Sequence, residues 1–236
     1  MKKKGTLYVI PSYLSETSGL ETLSPKVLDV IRTTSIYLAE NVRTSRRFVS
    51  SLKLGLTIED LLFHELSKKT SKEDMVKLLA PLYEGSDIGI LSEAGCPGIA
   101  DPGGFAVEHA HEIGVKVVPL VGPSSIMLGL MASGLNGQSF AFHGYLPIKK
   151  DLLTKKIRSL ERESLKHSQT QIFIETPYRN NQLLEVLLSV CGGKTKLCLA
   201  MDITGENEQI QTLTITDWKK KQLNLHKKPV IFLLQG

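Results

Sequence analysis

Four short segments of this 236-residue sequence combine the residue types that cradle small ligands. They are Pro11-Ser12-Tyr13, the run 93–104 (Glu-Ala-Gly-Cys-Pro-Gly-Ile-Ala-Asp-Pro-Gly-Gly), Gly122-Pro123-Ser124-Ser125, and Glu175-Thr176-Pro177-Tyr178-Arg179. Glycine permits positive φ and close backbone approach, while proline fixes the path of the chain. The longest run feeds an expected helix, whose N-terminus suits a negative group. One such loop could equally be a tight strand-to-helix connection; several at strand ends point to a ligand. Glu40 and Arg43 follow another strand-like run and read either as substrate contact and proton handling or as a structural ion pair. Glu93 and Asp101 also read as loop acceptors or helix N-terminal charges.

Other chemistries lack their signatures. A dinucleotide site needs G-x-G-x-x-G directly after the first strand, where this chain has Ile10-Pro11-Ser12-Tyr13 and no glycine before Gly19. A P-loop lysine motif is also missing. His64, His109 and His111 form no metal-like set with Cys or carboxylates, and no metal is expected; two residues apart, His109 and His111 point to different sides of a helix.

The loops need a scaffold, and periodicity supplies one. Strands are predicted at 6–10, 36–40, 61–66, 87–92 and 116–121, alternating with helices at 25–33, 45–52, 72–83 and 104–113. Ser24-Pro25 and Ser71-x-x-Asp74 read as helix starts, and Gly85 and Gly114 as helix ends. Strands alternating with helices argue for a mostly parallel sheet. The second half places helices at 124–132, 150–165, 180–190 and 217–223, with strands at 140–145, 171–175, 196–202, 209–215 and 230–234. Less helix separates its last strands, and 209–215 alternates polar with apolar, which suits a mixed sheet. The change of character near Pro119–Pro123 marks a boundary between domains 1–120 and 121–236.

Composition narrows the setting. Net charge is +5, which permits nucleic-acid binding without requiring it. Cys96, Cys191 and Cys198 are sparse and lack metal spacing, as reduced thiols do. Cys191 and Cys198 are expected in the core and Cys96 in a working loop. The basic opening at 1–4 is followed by too short an apolar run for a secretory signal, and nothing approaches a membrane span. A cytoplasmic protein is expected.

Several motifs in order resemble a known family. Gly5-Thr6-Leu7-Tyr8-Val9-Ile10-Pro11, Ala39-Glu40-Asn41-Val42-Arg43, Leu91-Ser92-Glu93-Ala94-Gly95-Cys96-Pro97 and Ala100-Asp101-Pro102-Gly103 are similar to the tetrapyrrole-methylase superfamily. More narrowly, with Val117–Ser125, Phe142-His143-Gly144-Tyr145-Leu146-Pro147 and Phe173–Arg179, they resemble the ribosomal RNA small subunit methyltransferase I family. The resemblance implies an α/β fold of two domains, with S-adenosylmethionine in a cleft between them, and a homodimer. Carried over by motif, Pro11, Glu93, Ala94, Gly95, Cys96, Ile99, Ser124 and Ser125 would bind the cofactor. Glu175, Met201 and Pro229 would close it from the second domain. Independently of the resemblance, Glu40 and Arg43 are the catalytic candidates, since a ribose hydroxyl needs a proton acceptor and Glu40 can serve, with Arg43 orienting it or a phosphate. The implied reaction is methylation of a ribose 2′-hydroxyl in ribosomal RNA or the small ribosomal subunit. A methyltransferase acting on a tetrapyrrole or other small molecule, and a non-catalytic cofactor- or RNA-binding protein, are the alternatives. The chain departs from the family pattern at the segment after Pro11, at Asn41 in place of Asp, and at Glu93 in place of Asp. Its strand-like run ends at Gly236, so the small extra C-terminal domain of the fuller RNA enzymes is expected to be absent.

Overall fold

A computed structural model describes residues 3–236; of the basic opening at 1–4, Met1 and Lys2 lie outside the described residues. The chain divides into two compact units, Met1–Ser124 and Ser125–Gly236.

The first unit holds strands β1 (Thr6–Ile10), β2 (Ile36–Ala39), β3 (Leu62–Glu65), β4 (Ile88–Leu91) and β5 (Lys116–Pro119). Its helices are α1 (Pro25–Thr33), α2 (Val42–Ser51), α3 (Lys72–Leu79) and α4 (Gly103–Glu112). The strands pair in the order β3-β2-β4-β1-β5, and every pairing is parallel. Successive side chains on a strand face opposite ways, which divides the core in two. Leu7, Leu38, Ile88 and Ile90 join Met75, Leu79, Ala106 and Ala110 of α3 and α4. Ile10, Tyr37 and Leu91 join Val27, Ile31, Phe48 and Val49 of α1 and α2. The unit is therefore a three-layer, doubly wound sheet, with its strand order reversing between β1 and β4.

One helix start differs from the expectation, and one expected capping bond is not made. The segment 45–52 begins earlier, at Val42, because the Asn41 side chain accepts a bond from the Thr44 N–H and caps the helix. Ser24 stands before α1 as expected, but its hydroxyl makes no capping bond and is buried without a partner. Ser71 does cap α3, accepting from the Asp74 N–H at 3.1 Å. Its hydroxyl also donates to the Asp74 carboxylate at 2.7 Å, so the aspartate answers the cap through the side chain. Gly85 and Gly114 take the positive φ values, 96° and 64°, that end a helix.

The second unit holds α5 (Ser125–Ser133), β6 (Phe140–Tyr145), α6 (Lys150–His167), β7 (Thr170–Ile174), α7 (Asn180–Val190), β8 (Lys196–Met201), β9 (Gln209–Thr214), α8 (Ile215–Trp218) and β10 (Val230–Gln235). Its order is β6-β7-β10-β8-β9, with β6 parallel to β7 and the other pairings antiparallel. This is the mixed sheet that the alternation implied. Phe173, Leu199 and Phe232 pack against α6 and α7 on one face, while Gly129 of α5 lies within contact distance of Ala200 and Ile231 on the other. The predicted helix at 217–223 is instead the short α8, started by Thr214, whose hydroxyl accepts from the Asp217 N–H. Trp218 ends it because the indole is drawn into the core, its Nε1 donating to the Leu197 carbonyl at 2.8 Å. Among the described residues no helix is long and apolar enough to cross a membrane.

Trp218 is the single tryptophan of the chain and is 2% exposed, so its emission reports the second unit. Leu187→Ala removes a fully buried side chain from the same cluster and should cost about 2–5 kcal/mol. A urea titration followed by Trp218 fluorescence should show the midpoint falling accordingly; an unmoved midpoint would contradict the packing described.

Candidate active site

Because all five strands of the first unit run parallel, their carboxyl ends share one edge of the sheet. That edge collects Pro11 after β1, Glu40 and Arg43 after β2, the 93–104 loop after β4, and Gly122–Ser124 after β5. In doubly wound sheets the crevice for a ligand opens where the strand order reverses, at the carboxyl ends of neighbouring strands. Here those strands are β1 and β4.

Hydrogen bonds lace the loops together at that point. The Ser12 N–H donates to the Gly95 carbonyl at 2.9 Å, and the Gly95 N–H donates to the Tyr13 carbonyl at 3.3 Å. The two loops thus extend the β1–β4 pairing beyond the sheet. Ser92, buried at the end of β4, donates from its hydroxyl toward the Gly95 carbonyl at 3.2 Å, and the Ser12 hydroxyl reaches the Ser92 carbonyl. Gly95 adopts φ 71°, a conformation that disfavours any other residue. Further along, one carboxylate oxygen of Asp101 accepts from the N–H groups of Gly98 and Gly103 at 2.8 and 2.7 Å. Asp101 therefore has the loop-acceptor role considered for it.

The loop after β5 is held to the other two. The Cys96 thiol donates to the Pro123 carbonyl at 3.3 Å. Burial and the nearby Asp101 raise the pKa of that thiol, so it stays protonated and acts as a staple rather than a nucleophile. Cys191 and Cys198 are buried, as expected, and burial pushes the Cys191 thiol up to about 12. Gly122 lies flat against the buried Pro11 ring: a Cβ there would sit 2.2 Å from the proline Cγ. Pro11 is thus positioned by a residue without a side chain.

Glu40 and Glu93 lie on the exposed rim. Asn41 links their loops. Its Oδ1 is committed to the α2 cap, so its Nδ2 is free to donate to Glu93 Oε1 at 3.0 Å. The amide at 41 removes a carboxylate from this rim and makes a bond that an aspartate could not. Burial, then Glu93, then Asp101 raise the pKa of Glu40, against the lowering effect of Lys68. Arg43 is exposed in the first turn of α2, a helical position rather than the loop expected from sequence. Ala94 and Ile99 are exposed on the long loop.

The second unit brings three other candidates to one edge of its own sheet. Ile231 pairs with Ile174, and Val230 with Met201, so Glu175, Met201 and Pro229 are neighbours at the starting end of β10. The Pro229 carbonyl accepts from the Asp202 N–H at 3.0 Å. Glu175 is committed within its own turn: Oε1 accepts from the Thr176 N–H at 2.6 Å and from Arg179 at 2.5 Å, and its side chain is 7% exposed. The Met201 side chain is buried in the core against α6 and α7. Ser124 directly precedes α5 and Ser125 opens it. Lys149, at the N-cap of α6, and Lys150, Lys155 and Arg158 within that helix are exposed and basic.

Sequence reading overlooked Ser92, Asn41 as a bridge, and Gly122 as the partner of Pro11. Ser92 had a local signal, a polar residue closing an apolar strand. The other two depend on residues far away in the chain.

No family model matches the chain. The chain is similar to the ribosomal RNA small subunit methyltransferase I of Vibrio cholerae serotype O1, with 31% identity over 233 residues that cover 98% of this chain and 77% of that one. It is 28% identical to the protein of the same name from Escherichia coli O157:H7, covering 99% and 78%. Among solved structures it is similar to the methyltransferase CobJ, with TM-score 0.65, 15% identity and coverage of 100% and 95%. The uroporphyrin-III-C-methyltransferase from Thermus thermophilus aligns with TM-score 0.59 and 19% identity over 98% and 94%. At those identities the two solved structures establish a shared fold.

The rim generates a pH-dependent prediction. A carboxyl whose pKa is raised on folding holds its proton more tightly in the folded state. Its contribution therefore favours folding at pH below the ordinary carboxylate value and is lost as pH rises through the raised one. Asn41→Asp replaces a hydrogen bond with a further negative charge beside Glu40 and Glu93. It should cost about 1 kcal/mol near neutral pH, and the deficit should shrink as the pH falls into the carboxylate range. Thermal unfolding of both proteins across pH checks this; a deficit constant with pH would contradict the arrangement.

Proposed function

This chain is a methyltransferase belonging to the ribosomal RNA small subunit methyltransferase I family, and on that footing we propose that it methylates a ribose 2′-hydroxyl of small-subunit ribosomal RNA, with S-adenosylmethionine as donor. The observation that carries the reading is the gathering of Pro11, the 93–104 loop and Glu40 on one edge of the first unit's parallel sheet.

The residues of that edge suit such a donor. Bound there, it would supply a methyl group on a positively charged sulfonium. Glu93 and Asp101 both act electrostatically on Glu40, and this group of carboxylates attracts a cation. Pro11 and the backbone of Glu93, Ala94, Gly95 and Cys96, with the exposed Ile99, would hold the cofactor, and Ser124 would adjoin it. In the same reading Ser125, Glu175, Met201 and Pro229 contribute from the second unit. Glu175 and Met201 would do so through main chain, since their side chains are committed elsewhere.

Methyl transfer needs alignment more than covalent help, and positioning alone supplies several kcal/mol. The remaining task is the hydroxyl proton. Glu40 accepts it as the ribose oxygen takes the methyl group. Burial and its anionic neighbours make Glu40 more basic than a solvated glutamate. Arg43 orients that carboxylate or an adjoining phosphate. Exposed lysines at 149, 150 and 155 are further phosphate contacts. Action on ribosomal RNA places the protein in the cytoplasm.

A homodimer belongs to the same proposal. The exposed apolar side chains Met127, Met131, Tyr145 and Ile148 of the second unit are the kind that a self-complementary interface covers.

Labelled S-adenosylmethionine and undermethylated small ribosomal subunits test the reaction directly. Thermal shift should respond to S-adenosylmethionine and S-adenosylhomocysteine, and a larger response to NAD would overturn the donor. Glu40→Gln should keep that response and lose about 10²–10⁴-fold in turnover. If deoxyribose at the acceptor position left the rate unchanged, ribose methylation would be wrong and a small-molecule substrate would take its place. Light scattering at micromolar concentration should give twice the chain mass of 26.1 kDa; a monomer at every concentration would exclude the dimer.

A further inference from the structure

We propose that the exposed face of α2, together with the turn after β3, is a phosphate-binding rim that seats the RNA backbone beside Glu40; this rests on the ribosomal RNA reading above.

Arg43, Arg46 and Arg47 are all exposed, while Ser45, Phe48 and Val49 of the same helix are buried. At positions i, i+3 and i+4 the three guanidinium groups share one face. None lies within 4.0 Å of a carboxylate among the described residues. The helix has no acidic residue in its first turn, where a positive side chain meets the positive end of the helix dipole. Like charges at this spacing also disfavour the helix. For Arg43 and Arg47 folding alone gives no reason for such an arrangement, whereas an anionic partner does.

A second element extends the surface. Arg46 stands over the Phe63 ring on β3, 5.5 Å from its centroid, which ties α2 to that strand. Beyond β3 the chain turns tightly, the Ser67 N–H donating to the Thr70 hydroxyl at 3.0 Å and the Thr70 N–H to the Ser67 carbonyl at 3.0 Å. This turn presents Lys68 and Lys69 to solvent, and Lys68 is near enough to lower the pKa of Glu40. Two parallel strands thus deliver five cations to the edge that carries Glu40. Arginine dominates the patch, and its planar fork matches phosphate oxygens in pairs. One helical turn, about 5.4 Å, separates Arg43 from Arg46 and Arg47, so they reach successive phosphates of one strand. A single-stranded segment fits better than a duplex, since its acceptor hydroxyl must be turned toward the protein.

The test compares wild type with the variant Arg46→Gln, Arg47→Gln, Lys69→Gln on undermethylated small ribosomal subunits. Arg43 is left in place because it belongs to the proposed catalytic pair. Each lost phosphate contact on a single strand should flatten the slope of log affinity against log salt by about 0.7. The slope should therefore change by about 2, and between 50 and 200 mM salt wild type should lose roughly 20-fold more affinity than the variant. KM should rise at low salt with kcat little changed, and the thermal response to S-adenosylhomocysteine should persist. Arg46→Lys with Arg47→Lys should keep most of the slope, which a merely structural role would not require. If loss of the Phe63 contact unfolds the triple variant, Arg47→Gln with Lys69→Gln carries the test with a slope change of about 1.4. Unchanged slope and KM in a variant, with an RNA-methylating wild type, would overturn the rim alone. A wild type that binds no RNA would overturn the rim and the substrate together.

Discussion

Parallel pairing of β1 with β4 is the constraint on which the candidate site depends. The register from Leu7↔Ile88 to Ile10↔Leu91 delivers both strand ends to the same level. From there Ser12 and Gly95 continue the pairing between loops, so two irregular segments inherit the rigidity of the sheet. Gly95 can accept this path because its φ is positive, and Ser92 occupies the space beneath it. The β5 loop is then fixed by contact with both: Gly122 against Pro11 and the Pro123 carbonyl on Cys96. A slip of one residue between β1 and β4 would exchange the two faces of the core and separate these bonds together.

Charge is divided along the same edge in a way that packing does not require. Glu40, Glu93 and Asp101 form the anionic part, and Arg43, Arg46, Arg47, Lys68 and Lys69 the cationic part. An anionic part suits a sulfonium donor and a cationic part suits a phosphate chain, so the two halves of the proposed reaction have separate electrostatic addresses. Asn41 stands at their junction. It caps the helix that carries the arginines and binds Glu93 on the anionic loop. The same amide thus aligns α2 and limits repulsion among the carboxylates.

The second unit follows a different logic. Its central strand β10 pairs antiparallel with both neighbours, which places the start of β10 beside the ends of β7 and β8. Glu175, Met201 and Pro229 come together for that reason. Two of the three are held by internal needs: Glu175 stabilises the turn through Thr176 and Arg179, and Met201 fills the core.

Much of this architecture was legible in the sequence, because side-chain periodicity is local. Helices α1 and α7 and strands β1 and β6 occupy the spans that apolar spacing alone predicts, and the mixed character of the second sheet followed from its short connections. The family motifs in the 5–11 and 91–103 segments likewise stood in plain view. Where local signals competed, sequence reading slipped. It began α2 three residues late, since Asn41 reads as a motif residue as easily as a cap, and it misplaced α8, whose end depends on Trp218 reaching the Leu197 carbonyl. Tertiary structure alone decided strand order, register and the long-range bonds that make a site. Asn41 meets Glu93 across 52 residues of chain, and Gly122 meets Pro11 across more than twice that span. Such pairings follow from which strands lie side by side, and that choice is made by burying two faces of one sheet at once, a condition that no window of sequence contains.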